Sequence, residues 1–483
     1  MKYAMIKVDM FINGKFVESL DRERKKVINP ATEEEIATLP MATVDDVDEA
    51  VDAAYEAQKR WEKVPSNQRG KLLKKIAQKL REKKDIFSQI LSNEVGKPIK
   101  EARDEVEFTA EYYDYFAEWA RRIEGEIIPS DRQNENIYLF KSPIGVVAGI
   151  VPWNYPLFVM ARKIAPALIA GDSVVIKPSS NTPINAYEMF KLFEEVELPK
   201  GIVNLVTGSG HTVGKALASN KKVSLISVTG SVETGIEVIK NSANNITKVS
   251  LELGGKAPAI VMDDAKLDDT VTWLKTSRLT NAGQLCNAAE RIYVHEKIAE
   301  KFTSKMVSAM AQVKIGYPLN EDTEMGPLVS KDQLGKVSSL VEKGKEQGGI
   351  ILLGGKRNPI NGKGYYYLPT VVSNVAQDNI LVKEEIFGPV MPIITFSSLD
   401  EAIEMANDSE YGLTSSIYTT NVDTAMKAIN SLKFGETYVN REHFEAIQGF
   451  HAGWRKSGLG GDDGKHGLDE FLKTRVVYFQ YNA

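Results

Sequence analysis

The 483 residues contain a single cysteine, Cys286. An intramolecular disulfide framework is therefore excluded, and a lone thiol suits a reducing compartment. Long apolar runs are missing as well, since none approaches the roughly 18 residues that a membrane-spanning helix needs. Met1-Lys-Tyr-Ala-Met-Ile-Lys-Val8 lacks the apolar segment and cleavage site of a secretory leader. Cytoplasmic residence with no membrane partner is the expectation. No basic block is present, and a net charge of −5 with a pI near 5.8 argues against nucleic acid as a partner. The five histidines are scattered without HxxxH spacing and no second cysteine exists, so no metal site is expected. Internal repeats and low-complexity segments are absent too.

What is present is an ordinary globular composition, 43% hydrophobic and 26% charged, on a chain too long for one core. Phe11-Ile-Asn-Gly-Lys-Phe-Val17 reads as a hairpin turning on Asn-Gly. Thr43-Val-Asp-Asp46 has the form of a capping box, and Val44, Val47, Val51 and Ala54 give the helix after it one apolar face. Leu72, Leu73, Ile76 and Leu80 mark a second amphipathic helix. The helical tract ends near Glu94, before Gly96 and Pro98. Residues 102–123 read as helical, with an aromatic stripe expected to pack in the core.

From residue 144 short apolar runs alternate with helical stretches: 144–151, 173–176, 202–206 and 223–228. These runs lack a period of two, as strands buried on both faces do, and imply βαβ units in a doubly wound parallel sheet. A second alternating region covers roughly 257–435, and Thr474–Tyr481 reads as a terminal strand without an obvious partner. An unpaired edge of that kind favours oligomerisation.

Cys286 lies in Asn281-Ala-Gly-Gln-Leu-Cys286-Asn-Ala-Ala-Glu-Arg291, a candidate nucleophile for a carbonyl carbon or else a small buried hydrophobe. Upstream by 34 positions, Glu252 sits among Val249, Leu251 and Leu253, where desolvation would raise its pKa toward that of a general base. Asn154 is bracketed by Pro152 and Pro156, which suits a preorganised donor. Gly208-Ser-Gly210-His-Thr-Val-Gly214 departs by one residue from a dinucleotide fingerprint, and a plain strand-to-helix turn explains it equally well. Val228-Thr-Gly230-Ser231 is a second strand-glycine-helix junction, and Lys177 closes another strand.

Together, Leu251-Glu-Leu-Gly-Gly-Lys256 and Gly283-Gln-Leu-Cys286 resemble the aldehyde dehydrogenase superfamily. Pro152-Trp-Asn-Tyr-Pro156, Val228-Thr-Gly-Ser231 and Glu384-Glu-Ile-Phe-Gly-Pro389 match its other signatures in order, from about Met10 to the C-terminus. The stretch from Asn440 to Trp454 is similar to the branch that oxidises lactaldehyde and glycolaldehyde. The resemblance implies an α/β fold of two doubly wound, Rossmann-like domains with a small β oligomerisation element. Residues 1–121 and 142–252 would bind the dinucleotide, 253–465 would be catalytic, and 122–141 with 466–483 would join subunits, in a homotetramer built as a dimer of dimers. It further implies Cys286 as nucleophile, Glu252 as the base that activates water, and Asn154 with the Cys286 backbone N–H as oxyanion donors. Trp153, Lys177, Ser179, Ser180, Gly210, Gly214, Gly230, Ser231, Glu385 and Phe387 would contact the cofactor. Arg162, Asn287, Glu445 and His451 would line a polar tunnel for a short 2-hydroxyaldehyde: lactaldehyde, glycolaldehyde or glyceraldehyde. Ser180 stands where NAD-specific members usually carry a glutamate, so NADP is expected to be preferred, with NAD weaker. Succinate semialdehyde or a broad aldehyde range is the alternative substrate reading. A CoA-acylating enzyme, against which Glu252 argues, and a non-catalytic structural protein are more distant ones.

Overall fold

The computed structural model describes residues 5–482. The part of the leader reading that rests on Met1-Lys-Tyr-Ala4 lies outside the described residues. Among the described residues, no helix is long and apolar enough to cross a membrane.

Local sequence signals reappear as elements. The strands Met10–Ile12 and Lys15–Val17 pair through Asn13 and Gly14, both at positive φ (51° and 77°), the geometry that Asn-Gly favours. The helix Val44–Trp61 opens on a complete capping box: Thr43 and Asp46 each accept from the other's backbone N–H. The aromatic tract forms the helix Ile99–Glu118 and a short turn Trp119–Arg121. Its Tyr112, Tyr113 and Phe116 are fully buried in the core, as expected.

Two large sheets organise the chain. The first has the spatial order Gly458–Leu459, Lys248–Glu252, Val223–Thr229, Val146–Ile150, Ser173–Lys177, Val203–Leu205, Met10–Ile12, Lys15–Val17. Its five central strands are parallel, and four of them are almost entirely buried, which explains their unalternating sequences. The parallel part starts at Val146–Ile150, runs outward through 173–205, then returns to lay Val223–Thr229 on the other side. That reversal leaves a crevice beyond the carboxyl ends of Val146–Ile150 and Val223–Thr229, the place where doubly wound sheets bind ligands.

The second sheet has six parallel strands, with Ala257–Val261 and Ala289–His295 near its centre and the antiparallel Ile350–Leu353 at one edge. Gly458–Leu459 leaves that half of the chain and pairs with Lys248–Glu252 in the first sheet. One expectation is corrected here. The terminal strand does have a partner in its own chain: Leu472–Gln480 pairs along its whole length with Glu135–Pro143, which in turn pairs with Glu126–Pro129. The partner lies more than 300 residues upstream, so the sequence did not advertise it. This three-stranded sheet still leaves Ile127, Tyr478 and Phe479 exposed.

Candidate active site

The crevice at the reversal of the first sheet receives its residues from both halves of the chain. Directly after Val146–Ile150, Pro152–Pro156 turns into the helix Pro156–Ala170. Proline at the first helical position needs no hydrogen bond, and Gly171 closes the helix at φ 107°. The next free N–H groups, of Leu157 and Phe158, donate to Glu105 Oε1 at 3.0 and 3.2 Å. Glu105 is itself ion-paired with Lys97, both fully buried, and the Lys97 ammonium lies 3.5 Å from the centre of the Tyr155 ring. Asn154 is thus held at a turn that is anchored on both sides.

The cysteine loop is built with equal rigidity. Asn281, Ala282 and Gly283 occupy the left-handed region in succession (φ 49°, 55° and 74°), a conformation that costs non-glycine residues free energy and needs outside support. Glu101 accepts from the Asn281 backbone N–H at 2.9 Å, and Arg278 donates to the carbonyls of Gly283 and Ala289. The two loops hold each other: Asn154 Nδ2 donates to the Gln284 carbonyl and Asn281 Nδ2 to the Asn154 carbonyl, both at 3.0 Å.

Between them lies a cavity of about 230 Å³ lined by Asn154, Cys286, Asn287, Arg162, Glu445 and Leu253 among others. Arg162 is buried at its base. It reaches Asp463 through two bonds (Nε–Oδ1 3.0 Å, Nη2–Oδ2 2.6 Å) and Glu445 Oε1 through a third at 2.9 Å. Burial opposes its charge, but Asp463 and Glu445 hold the guanidinium firmly protonated. Glu445 Oε2 accepts from Asn287 Nδ2, and among the described residues Asn287 Oδ1 is buried without a partner. The tunnel is not polar throughout, contrary to expectation: Phe108, Phe158 and Phe444 line it too, with Phe108 and Phe444 ring centres 5.0 Å apart. Their helix and loop positions look like ordinary core residues in sequence.

Glu252 ends the strand Lys248–Glu252, directly before the cavity-lining Leu253 and Gly254, with its side chain 3% exposed. Burial pushes its carboxyl well above the usual range, with Asp462 adding repulsion and His451 opposing it. His451, expected on the tunnel wall, is buried against the catalytic cysteine: the ring is 1% exposed and bonded to the Cys286 side chain, with Nδ1 2.6 Å from Glu436 Oε1 and Nε2 3.6 Å from Glu252 Oε2. His451 also pairs with Asp462 through backbone bonds.

The far side of the cavity carries the cofactor candidates Trp153, Gly230, Ser231, Glu385 and Phe387. Ser231 caps the helix Val232–Ser242, accepting from Thr234 N–H, so that helix start opens on the cavity. Glu385 accepts from the Gly255 N–H at 2.8 Å, and a Cβ on Gly254 would come within 2.9 Å of its carboxylate. Burial, with Glu290 adding repulsion, pushes Glu385 up to about 7. Phe387 sits at φ 55°, its ring edge-on to Trp153 at 5.4 Å. That strained turn is held by Glu290, which accepts from Ile386 and Phe387 N–H at 3.0 and 2.8 Å. Burial works against the Glu290 charge, yet Lys256 and Arg278 hold its carboxyl down at about 2. Sequence reading missed Glu105, Glu290, Gln284 and Asp463, each a common polar letter with no local signature.

Lys177 ends the strand Ser173–Lys177 and Ser179 and Ser180 follow it, at the same carboxyl edge and outside the cavity lining. The Lys177 ammonium is buried and donates to the Pro178 carbonyl at 3.3 Å, and burial together with Lys25 pushes it down to about 8. Such an ammonium suits a hydroxyl or phosphate partner. Ser180 Oγ donates to the Gly208 carbonyl at 3.1 Å, and Ser179 Oγ accepts from Asn181 N–H. Gly210–Gly214 forms a single wide helical turn. A Cβ on Gly210 would meet nothing within 4 Å, and one on Gly214 only a distant methyl, so neither position demands glycine.

Comparison with known proteins places this geometry. The profile of the Aldehyde dehydrogenase family matches residues 16–477. The chain is 52% identical to the lactaldehyde dehydrogenase of Escherichia coli, over 98% of both chains. The chain belongs to the aldehyde dehydrogenase family. The crystal structure of the E. coli lactaldehyde dehydrogenase superposes with a TM-score of 0.97, covering 99% of this chain and all of that one. A D-glyceraldehyde dehydrogenase (NADP(+)) from Picrophilus torridus is 40% identical over 98% of this chain and 96% of its own. This aldehyde dehydrogenase is accordingly an NAD(P)-dependent aldehyde oxidoreductase with the Rossmann-like architecture of its relatives. The residues around Glu385, Phe387 and Ser231 fit a dinucleotide: an acceptor for ribose hydroxyls, an apolar wall and a helix start.

Proposed function

We propose that the enzyme oxidises a short 2-hydroxyaldehyde, of the lactaldehyde or glyceraldehyde type, to its carboxylate. One observation carries this reading: beside Cys286, a cavity of about 230 Å³ holds the buried Arg162–Glu445–Asn287 cluster, whose Asn287 Oδ1 lacks a partner among the described residues. A 2-hydroxyl can donate to that oxygen, and the part of Arg162 not committed to Asp463 and Glu445 can receive a nascent carboxylate. The names of two relatives, one for lactaldehyde and one for D-glyceraldehyde, agree with it.

In the mechanism we infer, the Cys286 thiolate adds to the aldehyde carbon and forms a thiohemiacetal. An amide nitrogen has two protons; Asn154 spends one on the Gln284 carbonyl and keeps one for the oxyanion, beside the Cys286 N–H. A bound nicotinamide dinucleotide supplies the hydride acceptor, and loss of hydride leaves a thioester on Cys286. Glu252 draws a proton from the water that attacks this thioester, releasing the carboxylate and restoring the thiolate.

Steady-state kinetics with lactaldehyde, glycolaldehyde, glyceraldehyde, succinate semialdehyde and propanal test the substrate class. Arg162→Leu is a poor probe, because it strands Asp463 and Glu445 in the interior at a cost of about 3–5 kcal/mol in stability. Asn287→Ala is the better one. It is expected to lower kcat/KM for lactaldehyde about tenfold, roughly 1.4 kcal/mol, and to spare propanal. Equal losses on both would assign Asn287 a structural task instead.

We further propose that NADP is preferred to NAD. No carboxylate stands at Ser180, and Lys177, with Lys25 close enough to depress it, offers positive charge to a 2′-phosphate. Ser180→Glu should move the ratio of kcat/KM values toward NAD by at least about tenfold, the scale of a charged hydrogen bond. A wild type that already favours NAD strongly contradicts this preference. We also propose a homotetramer built as a dimer of dimers; the exposed apolar positions of the three-stranded sheet support association of subunits.

A further inference from the structure

Among the described residues nothing donates a hydrogen bond to the Glu252 carboxylate. Among the described residues both of its carboxylate oxygens are buried without a partner, and its side chain is 3% exposed. A lone buried carboxylate gives up its charge, and a protonated base cannot draw a proton from water. Two cations nearby are already committed. Lys163 is ion-paired with Asp462 at 2.7 Å, and Arg162 is bound to Asp463 and Glu445. The group left is His451, with Nε2 3.6 Å from Glu252 Oε2 and Nδ1 2.6 Å from Glu436 Oε1.

Resting on the reading of Glu252 as the base for thioester hydrolysis, we propose that His451 is a positioning residue. Held as an imidazolium by Glu436, it keeps Glu252 ionised and so sets the pH above which the thioester is hydrolysed. Glu436 suits this part because its Oε1 lies 2.6 Å from the ring nitrogen and its Oε2 accepts from the Tyr438 hydroxyl, which holds the carboxylate against the ring. Burial opposes charge on the ring, but Glu436 and the Cys286 thiol outweigh it and hold the imidazole well above its ordinary range, with Arg162 in opposition. On Glu252, burial and Asp462 raise the carboxyl, while His451, Lys163 and Arg162 pull it back. Glu445 and Asp463, which also feel the ring, are neutralised chiefly by Arg162. Without the ring, Glu252 would stay protonated to higher pH. Hydride transfer, which precedes hydrolysis, would change only through the lost bond between the ring and the Cys286 thiol, which alters the rate of the burst and not its amplitude.

The test is the full-length enzyme with lactaldehyde and NADP, as wild type, His451→Gln and Glu436→Gln, followed by stopped flow across the pH range in which the fold survives. The burst of reduced cofactor should keep its amplitude in both variants. In His451→Gln the steady rate near neutrality should fall about tenfold or more and recover as pH rises, its profile displaced upward by about one unit. Glu436→Gln should move the same way by less, and it carries the test if His451→Gln does not fold. A rate lowered by one factor at every pH overturns the proposal, as does a raised KM on an unmoved profile, which would assign His451 to substrate binding. Glu252→Gln separates the two levels. If it turns over without a burst, the base reading itself fails; if it bursts while the His451→Gln profile stays in place, only the role of His451 fails.

Discussion

Cys286→Ala is expected to abolish aldehyde oxidation while leaving cofactor binding intact. Alanine removes the atom that forms the covalent intermediate, so kcat/KM should fall at least ~10⁴-fold, about 5.4 kcal/mol at 1.36 kcal/mol per decade. The fold should hardly notice. Cys286 is half-buried and faces the cavity, and the loop's shape comes from Glu101, Arg278 and Gln284 gripping backbone groups. The cofactor contacts at Ser231, Glu385 and Phe387 belong to other segments. Titration of the cofactor by protein fluorescence, beside an aldehyde assay and a melting curve, gives the three readouts. Because the chain has no other cysteine, residual oxidation in this variant would exclude thiol chemistry altogether.

Glu252→Gln should fail at the opposite end of the cycle. The amide keeps the shape of the carboxylate but cannot accept a proton from water, so acylation and hydride transfer proceed once and hydrolysis stalls. Mixing this variant with saturating aldehyde and NADP should give a burst of one reduced cofactor per active site. A steady rate about 10²–10⁴-fold below wild type should follow, the range over which positioned bases act. Acid quenching after the burst should preserve the thioester as a mass increase on the peptide holding Cys286. The wild type should show the related pH dependence. Burial raises the Glu252 carboxyl above its ordinary value, so the catalytic carboxylate gains population, and hydrolysis accelerates, as pH rises through that raised value. Glu252→Gln should lose this rise. A variant that turns over steadily with no burst would place the proton acceptor elsewhere.

What the sequence determined by itself was short-range. Asn13-Gly14 makes a hairpin because those two residues tolerate positive φ. Thr43 and Asp46 make a capping box because they stand three apart, and the unalternating runs after residue 144 become strands covered on both faces. Cys286, Glu252 and Asn154 were legible for a related reason: each sits in a motif a few residues long whose backbone form is local. The tertiary structure alone decided which charges meet. Arg162 binds Asp463 from 301 positions away, Glu105 caps a helix 52 positions later, and Glu290 reaches the Ile386–Phe387 turn 96 positions on. His451 was legible as a nearby imidazole but not as the partner of Glu436 and Glu252, and the terminal strand gave no sign of its register with Glu135–Pro143. A carboxylate has the same local pattern whether it faces water, caps a helix or pairs with a buried guanidinium. Only the packing of two sheets sets the distance and the dryness that make one of those outcomes favourable.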